Sequence, residues 1–305
     1  MNEPIPNSDE VCIKVHAAGV NFPDILMVEG KYQVKPAFPF APGAEAAGEI
    51  ISIGDNVTNY KVGQRVIAMT GHGAFAEIVK ASEKKLIPLN DNVDFETASI
   101  LPMVYGTSAH ALIQRGKLKK DETLLVHGAA GGVGLAAVEI GKAMGARVIA
   151  TASTDEKCQV AREHGADETI NYSNGQFKEI VKSMTDGKGA DVIYDPVGGD
   201  VFDQSLRCIA WEGRLLVVGF TSGRIPSAPA NLALLKSCDI VGVFWGAFVE
   251  RTPHINLENF DKLYQWIDEG YIKPRISMKV SLENTLDAMQ AIADRKIIGK
   301  AIVKI

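Results

Sequence analysis

The sequence predicts an α/β protein in which a doubly wound parallel sheet is inserted into a β-rich domain built from both ends of the chain. Three observations predict it: strand-like and helix-like runs alternate from Asp121 to Val243, the region before them reads as strands, and the last sixty or so residues return to helices and a strand. A chain of 305 residues is long enough for about two domains of roughly 150 residues each. The expected division puts residues 1–103 and 244–305 in one domain and 104–243 in the other.

From Val11 to about Leu89 the apolar residues fall in short alternating runs, such as Val11, Ile13 and Val15, separated by Gly30, Gly54-Asp55, Gly63 and Gly71-His72-Gly73. Such alternation between turn-forming residues is the pattern of an all-β region. The pattern changes after Asp94. Leu124-Val126, Val148-Ile149, Thr169-Asn171, Val192-Tyr194, Leu215-Val218 and Ile240-Val243 read as six strands, with helices between most of them, one running through Met144 and one ending near Gly165. Strands that alternate with helices pair in parallel and are covered on both faces. Leu257-Glu269 and Leu286-Asp294 then read as helices, and Ala301-Ile305 as a last strand that returns to the first domain.

A net charge of -5 repels a phosphate backbone, so nucleic acid is not expected as a principal partner. The four cysteines, Cys12, Cys158, Cys208 and Cys238, lack CxxC spacing. They indicate neither a disulfide framework nor a zinc finger, and point to a reducing compartment. No apolar run approaches the roughly 18 residues of a membrane span. Met1 leads into polar Asn2-Glu3, and Glu3, Asp9 and Glu10 make the start too acidic for a transit peptide. A cytoplasmic location is expected, unless an organelle address has been removed.

The segment with most chemical content is Ala129-Ala130-Gly131-Gly132-Val133-Gly134, which follows the strand Leu124-Val126 and opens a helix whose apolar face is Val133, Ala137, Ile140 and Met144. Free N–H groups and the positive dipole end at such a helix start attract a pyrophosphate, and glycines let its oxygens approach the backbone. Gly131 is expected to permit that approach and Gly134 to let the helix pack on the strand. Ala129 stands where a dinucleotide fingerprint has its first glycine, so the case rests on the strand before, the helix after and the repeated βα units.

In a dinucleotide fold, an Asp or Glu at the end of the next strand holds the adenosine ribose diol of NAD. Here that strand, Val148-Thr151, ends in Ala152-Ser153 without a carboxylate. Ser153 can donate to a 2′-phosphate and Lys157, one helical turn on, can pair with it. Asp155 and Glu156 partly cancel the field of Lys157, which also reads as a solvated helix lysine.

The sequence resembles the medium-chain dehydrogenase/reductases, and within them the zinc-free NADPH:quinone oxidoreductases related to zeta-crystallin. The resemblance runs over nearly the whole chain, through Ala17–Asp24, Pro42–Gly48, Tyr105-Gly106-Thr107, the glycine turn, Ile170-Asn171-Tyr172, Asp195–Gly199 and Val243–Gly246. It implies a Rossmann domain that binds NADPH, inserted in a GroES-like catalytic domain, with the cofactor in the cleft. By motif, Ser153, Lys157 and Tyr172 would surround the 2′-phosphate, Ala130, Gly131, Gly132 and Val133 the pyrophosphate, and Gly219, Phe220 and Thr221 the adjoining ribose region. Asn21, Thr107, Phe244 and Trp245 would lie near the nicotinamide, and Tyr32 looks like a cleft tyrosine, its alternative being a tyrosine packed under the following strand. Zinc-dependent relatives present a Cys at Asn21 and a His at Ala44, so no metal is expected. Family members usually begin about twenty residues earlier, which makes Met1 look like a shortened start.

The expected reaction is hydride transfer from NADPH to a quinone or similar conjugated carbonyl, for which the protein supplies position and the cofactor the chemistry. Asn21, Asp24 and Tyr32 are the candidates to orient or protonate the reduced oxygen, although Asp24 also reads as a brace of its own loop. The alternatives are reduction of an activated alkene, such as an enone or enoyl thioester, and a non-catalytic nucleotide-binding role of crystallin type. A homodimer is expected through the last strand of the central sheet, Asp239 to Val243, whose apolar Ile240 and Val241 would otherwise lie on an open edge.

Overall fold

The computed structural model describes residues 3–305, so Met1, and with it the reading of a shortened start, lies outside the described residues. The chain forms two compact units, one made of the chain up to Met103 together with Pro274–Ile305, the other of Val104–Lys273. In chain order the strands are β1 (Glu10–Val20), β2 (Glu45–Ile53), β3 (Arg65–Met69), β4 (Ile78–Ser82), β5 (Leu86–Pro88), β6 (Thr123–Val126), β7 (Arg147–Ala152), β8 (Glu168–Asn171), β9 (Ala190–Asp195), β10 (Ile209–Val217), β11 (Asp239–Gly242), β12 (Ile276–Ser281) and β13 (Lys300–Lys304). No helix among the described residues is long and apolar enough to cross a membrane.

The first unit is a seven-stranded sheet in the order β12-β13-β1-β2-β3-β5, with β4 also on β1. β1 serves three partners because it is long: Glu10–Lys14 pair with β4, Ala17–Val20 with β13, and β2 runs along it past register shifts between Cys12 and Ile13 and between Val15 and Ala17. Bulges of this kind bend a strand so that it can change partner. The core gathers Val11, Ile13, Val15, Val20, Ile50, Val66 and Leu86 with Ala301 and Val303 from the far end of the chain. An α-helix, Phe22–Val28, and a single 3-10 turn, Glu83–Lys85, interrupt the region that reads as strands alone; the α-helix is the larger departure. Its capping box of Asn21 and Asp24, with proline in the first turn, starts it locally, and seven residues are too few for a helical period to show.

The second unit holds a six-stranded parallel sheet in the order β11-β10-β9-β6-β7-β8. The chain winds outward from β6 through β7 to β8, then returns to β9 on the other side of β6, which makes β6/β9 the point where the topology reverses. In open sheets of this kind ligands bind outside the carboxyl ends of the strands at that point. Leu125, Ile149, Ile193 and Leu215 are fully buried in its core, the sign of strands covered on both faces.

The sequence reading returned the chain to the first unit at residue 244, whereas the unit boundary falls after Lys273. Helices Trp245–Arg251 and Pro253–Asp268 are attached to the second unit by specific contacts. The Trp245 ring lies on Gly106, where an added Cβ would come within 2.7 Å of it, and the indole N–H donates to Asn256 at 3.1 Å. The amides of Gln114 and Asn259 exchange hydrogen bonds of 2.9 and 3.1 Å, and His110 stacks on Phe248 at 3.9 Å.

Candidate cofactor and active site

In the second unit the expected cofactor residues collect at one edge of the sheet. Register pairs Val126 with Ala150 and Tyr194, Ala152 with Asn171, and Val217 with Asp195. The carboxyl ends therefore lie side by side, followed by Ala130–Val133 after β6, Ser153 after β7, Tyr172 after β8, Gly219–Thr221 after β10 and Phe244 after β11.

The turn after β6 is built on two glycines of different use. Gly128 takes φ +58, and a Cβ on Gly134 would stand 2.2 Å from the Gly128 carbonyl oxygen. Left-handed backbone favours glycine at the first position, and close packing of helix on turn requires it at the second. Gly128, one residue before the position compared with the fingerprint, is thus where the chain makes its sharp turn. Helix Gly132–Ala143 begins after Gly131, which supplies no side-chain cap. Its first N–H groups are the unsatisfied donors of a helix start, which suits an anionic group. By contrast, helix Asp155–Glu163 is capped by the Thr154 hydroxyl, which accepts from the Lys157 N–H. Lys157 and Ser153 are partly buried, and Tyr172 packs at the margin of the core.

Beneath the turn, His127 is buried and ties three elements together. The Ser205 hydroxyl donates to Val201 O at 2.7 Å, so it accepts from His127 Nε2 at 2.9 Å. The Thr151 hydroxyl then donates to Nδ1 at 2.9 Å. Burial pushes the imidazole pKa down to about 3, so it is neutral. On the other side of the turn the Ser108 hydroxyl donates to Val133 O at 2.9 Å and accepts from the buried Tyr194 hydroxyl at 2.8 Å. Thr107 sits between two wide helical turns, Leu101–Gly106 and His110–Arg115, a distortion common at functional sites. The Asp195 carboxylate accepts from Val197 N and Gly198 N at 2.8 and 2.9 Å. The Thr221 hydroxyl donates to Pro196 O at 3.1 Å. Of the two aromatic residues expected at the nicotinamide, Phe244 is 74 % exposed while Trp245 is buried on Gly106.

In the first unit Asn21 and Asp24 belong to a buried polar cluster that the sequence reading saw only in part. The Asn21 Nδ2 donates to Glu45 Oε1 at 2.8 Å and to Gly19 O at 3.4 Å. Lys300 Nζ donates to Val20 O at 2.9 Å, to Asn21 Oδ1 at 2.5 Å and to Glu45 Oε1 at 3.4 Å. Glu45 Oε2 accepts from Met103 N at 2.8 Å. Gly19 makes room for this carboxylate, since a Cβ there would come within 2.3 Å of Glu45 Oε1. Asp24 is fully buried, and its two oxygens accept from Asn21 N at 2.8 Å and Gly43 N at 3.3 Å. Burial raises its pKa to about 7 against the opposing pull of these N–H donors and of Lys300. Tyr32 lies in a bend after the helix, half-buried, its pKa raised by burial and by the charge of Asp24.

Two members of this cluster went unnoticed in the sequence. Glu45 has a visible signal, a carboxylate between alanines in a strand-like run, Ala44-Glu45-Ala46-Ala47. Lys300 has none, because a lysine that opens an apolar strand reads as a solvated end. Among the described residues no group of three or more His, Cys, Asp and Glu side chains is placed to hold a metal ion.

Residues 7–91 match the family described as alcohol dehydrogenase GroES-like domain, and residues 132–264 the family described as zinc-binding dehydrogenase. The chain is 41 % identical over 299 residues to a quinone oxidoreductase-like protein 2 homolog of Nematostella vectensis, covering 97 % of this chain and 82 % of that one. It is 37 % identical over 302 residues to a quinone oxidoreductase of Pseudomonas aeruginosa, covering 98 % and 92 %. The structure superposes on Escherichia coli quinone oxidoreductase complexed with NADPH with a TM-score of 0.92 at 29 % identity, over 100 % of this chain and 94 % of that one.

Proposed function

The chain belongs to the quinone oxidoreductases of the medium-chain dehydrogenase/reductase superfamily, and on that premise we propose that it transfers a hydride from NADPH to a quinone or similar conjugated carbonyl. The observation that carries this reading is the turn after β6, with Gly128 at φ +58, no room for a Cβ at Gly134 and an uncapped helix start at the topological switch of the sheet. These small residues and free N–H groups fit a pyrophosphate. Ser153, Lys157 and Tyr172 are assigned to the 2′-phosphate, Gly219, Phe220 and Thr221 to the neighbouring ribose, and Asn21, Thr107, Phe244 and Trp245 to the nicotinamide end. NADPH, when bound, supplies the hydride.

For the proton that completes the reduced oxygen, the hydrogen bonds favour one of the three candidates. Both Nδ2 hydrogens of Asn21 are committed to Glu45 and Gly19, and both oxygens of Asp24 to backbone N–H groups. The Tyr32 hydroxyl, whose pKa is raised above the ordinary phenol value, stays protonated at neutral pH. We assign it the donor role and assign Asn21 and Asp24 to positioning. We further assign the protein to the cytoplasm, consistent with four buried, unpaired cysteines. As a homodimer it would pair β11, an edge strand whose Ile240 is 38 % exposed.

The test is steady-state NADPH oxidation with and without a small quinone, for the parent and Tyr32→Phe. Quinone should accelerate oxidation, and the variant should lose about 100-fold or more in kcat, within the range of general acid catalysis. Acceleration by activated alkenes alone would shift the substrate class to enones. No acceleration by either would leave a nucleotide-binding protein without this activity.

A further inference from the structure

The polar cluster of the first unit contains more charge than its bracing of a loop requires. Lys300 is 6 % exposed and Glu45 is fully buried, and burying ions is costly unless each is paired and hydrogen-bonded. Here the pairing is complete in a telling way. The three ammonium hydrogens of Lys300 have three acceptors, Val20 O, Asn21 Oδ1 and Glu45 Oε1. The two Nδ2 hydrogens of Asn21 have two, Glu45 Oε1 and Gly19 O. An ammonium can only donate and a carboxylate can only accept. Turning the Asn21 amide over would set N–H against N–H at Lys300 and oxygen against oxygen at Glu45.

We infer that Lys300 is a positioning residue: with Glu45 it locks the Asn21 carboxamide in one orientation, so that Asn21 meets a bound molecule only through its oxygen, as the acceptor from a hydroxyl or amide N–H. This rests on the assignment of Asn21 to the nicotinamide end of the cofactor, where the ribose hydroxyls and the carboxamide N–H are such donors. A carbonyl of the acceptor substrate, which needs a donor, is not what this Asn21 recognises.

The experiment compares the parent, the charge-neutral pair Lys300→Met/Glu45→Gln, Asn21→Ala, and the triple combination. Replacing both members of a buried ion pair by neutral groups of similar size leaves stability nearly unchanged, so the pair variant should melt within a few degrees of the parent. Its kcat with NADPH and a small quinone should nevertheless fall about tenfold, with KM for quinone within about twofold, because the Asn21 amide is free to turn. In the Asn21→Ala background the same pair should cost less than about twofold, since residues acting through one another are not additive. Recovery of kcat together with melting temperature, or losses that multiply, would overturn the inference. Should the pair variant fail to fold, the parent alone decides: with both Nδ2 hydrogens held by Glu45 and Gly19, its Asn21 NH₂ should exchange with solvent at least about 10-fold more slowly than a free asparagine amide, and exchange at the free rate would overturn the lock.

A second readout does not depend on turnover. With selective ¹⁵N-asparagine labelling, the Asn21 NH₂ should exchange with solvent about 100-fold faster in the pair variant than in the parent, and equal protection would overturn the locked orientation. A parent without quinone-stimulated NADPH oxidation sinks the functional assignment instead, and the exchange measurement still decides the orientation. The reduced 3-acetylpyridine analogue of NADPH, which lacks the carboxamide N–H, separates the two donors. A parent penalty that vanishes in the pair variant identifies the carboxamide, and an equal penalty in both identifies the ribose hydroxyl.

Discussion

Gly134→Ala should weaken both the fold and NADPH binding, against the ordinary expectation for alanine in a helix. The new Cβ would lie 2.2 Å from the Gly128 carbonyl oxygen, 2.8 Å from its carbon and 2.9 Å from Ala129 Cα. An ordinary contact is about 3.5 Å, so the helix start or the turn must move by roughly 1 Å. Both sides are backbone, and neither yields as a side-chain end would. Overpacking of this kind costs about 1–3 kcal/mol, while glycine to alanine inside a helix returns about 1 kcal/mol. With backbone on both sides the cost belongs near the upper end, which leaves a net loss of about 2 kcal/mol and a Tm lower by roughly 4–8 °C. The same displacement opens the N–H cradle, so the NADPH Kd should rise at least about tenfold, or 1.4 kcal/mol. Gly131→Ala is the internal comparison: its Cβ would stand 3.4 Å from Gly128 O and its φ is an unstrained -82°. Its stability should change by less than about 0.5 kcal/mol, yet NADPH should bind about tenfold more weakly because the methyl occupies the approach of the pyrophosphate. Urea unfolding and fluorescence titration with NADPH read both quantities. A Gly134→Ala protein more stable than the parent would refute the close packing, and unchanged affinity in Gly131→Ala would refute the pyrophosphate position.

Lys157→Ala should weaken NADPH roughly 10- to 100-fold, since charge-assisted hydrogen bonds contribute about 1.5–3 kcal/mol, and should leave NADH nearly unchanged; equal weakening of both at fixed ionic strength would exclude Lys157 from the 2′-phosphate. Two buried groups should give opposing pH trends in stability. The His127 pKa is depressed to about 3, below an unfolded value of about 6.5, so its contribution is present above pH 6.5 and is lost as pH falls toward 3, at up to about 1.4 kcal/mol per unit. The Asp24 pKa is raised to about 7, so its contribution is present below the unfolded value of about 3.9 and is lost as pH rises toward 7. Denaturant unfolding between pH 4 and 7 should therefore rise more steeply with pH in Asp24→Asn and fall in His127→Gln, and unaltered slopes would show that neither group is shifted. Light scattering at micromolar concentration should give twice the chain mass, and substitution of Ile240 by Lys on the exposed edge β11 should shift it toward monomer; a monomeric parent would remove the dimer.

What the sequence determined by itself is local. The strand, glycine turn and helix from Thr123 to Ala143 were legible because a buried run, an approach that only small residues permit and a helical period all lie within about twenty consecutive residues. All six runs read as strands of the central sheet are strands; the inner four, β6, β7, β9 and β10, are buried apolar runs, as parallel strands covered on both faces are, while β8 and β11 lie on the edges. The grouping of helices Trp245–Arg251 and Pro253–Asp268 with the second unit is not written in their own residues, because what attaches them is a tryptophan on Gly106 and an amide pair with Gln114, contacts between residues more than a hundred positions apart. The same reason hid the polar cluster. Asn21 was legible by motif, but Lys300 is 279 positions away, and only the antiparallel pairing of β13 with β1 sets its ammonium on Asn21 and Glu45. Whether a lysine at a strand end is solvated or carries a buried positive charge depends on what the fold brings to it, and that is decided by tertiary structure alone.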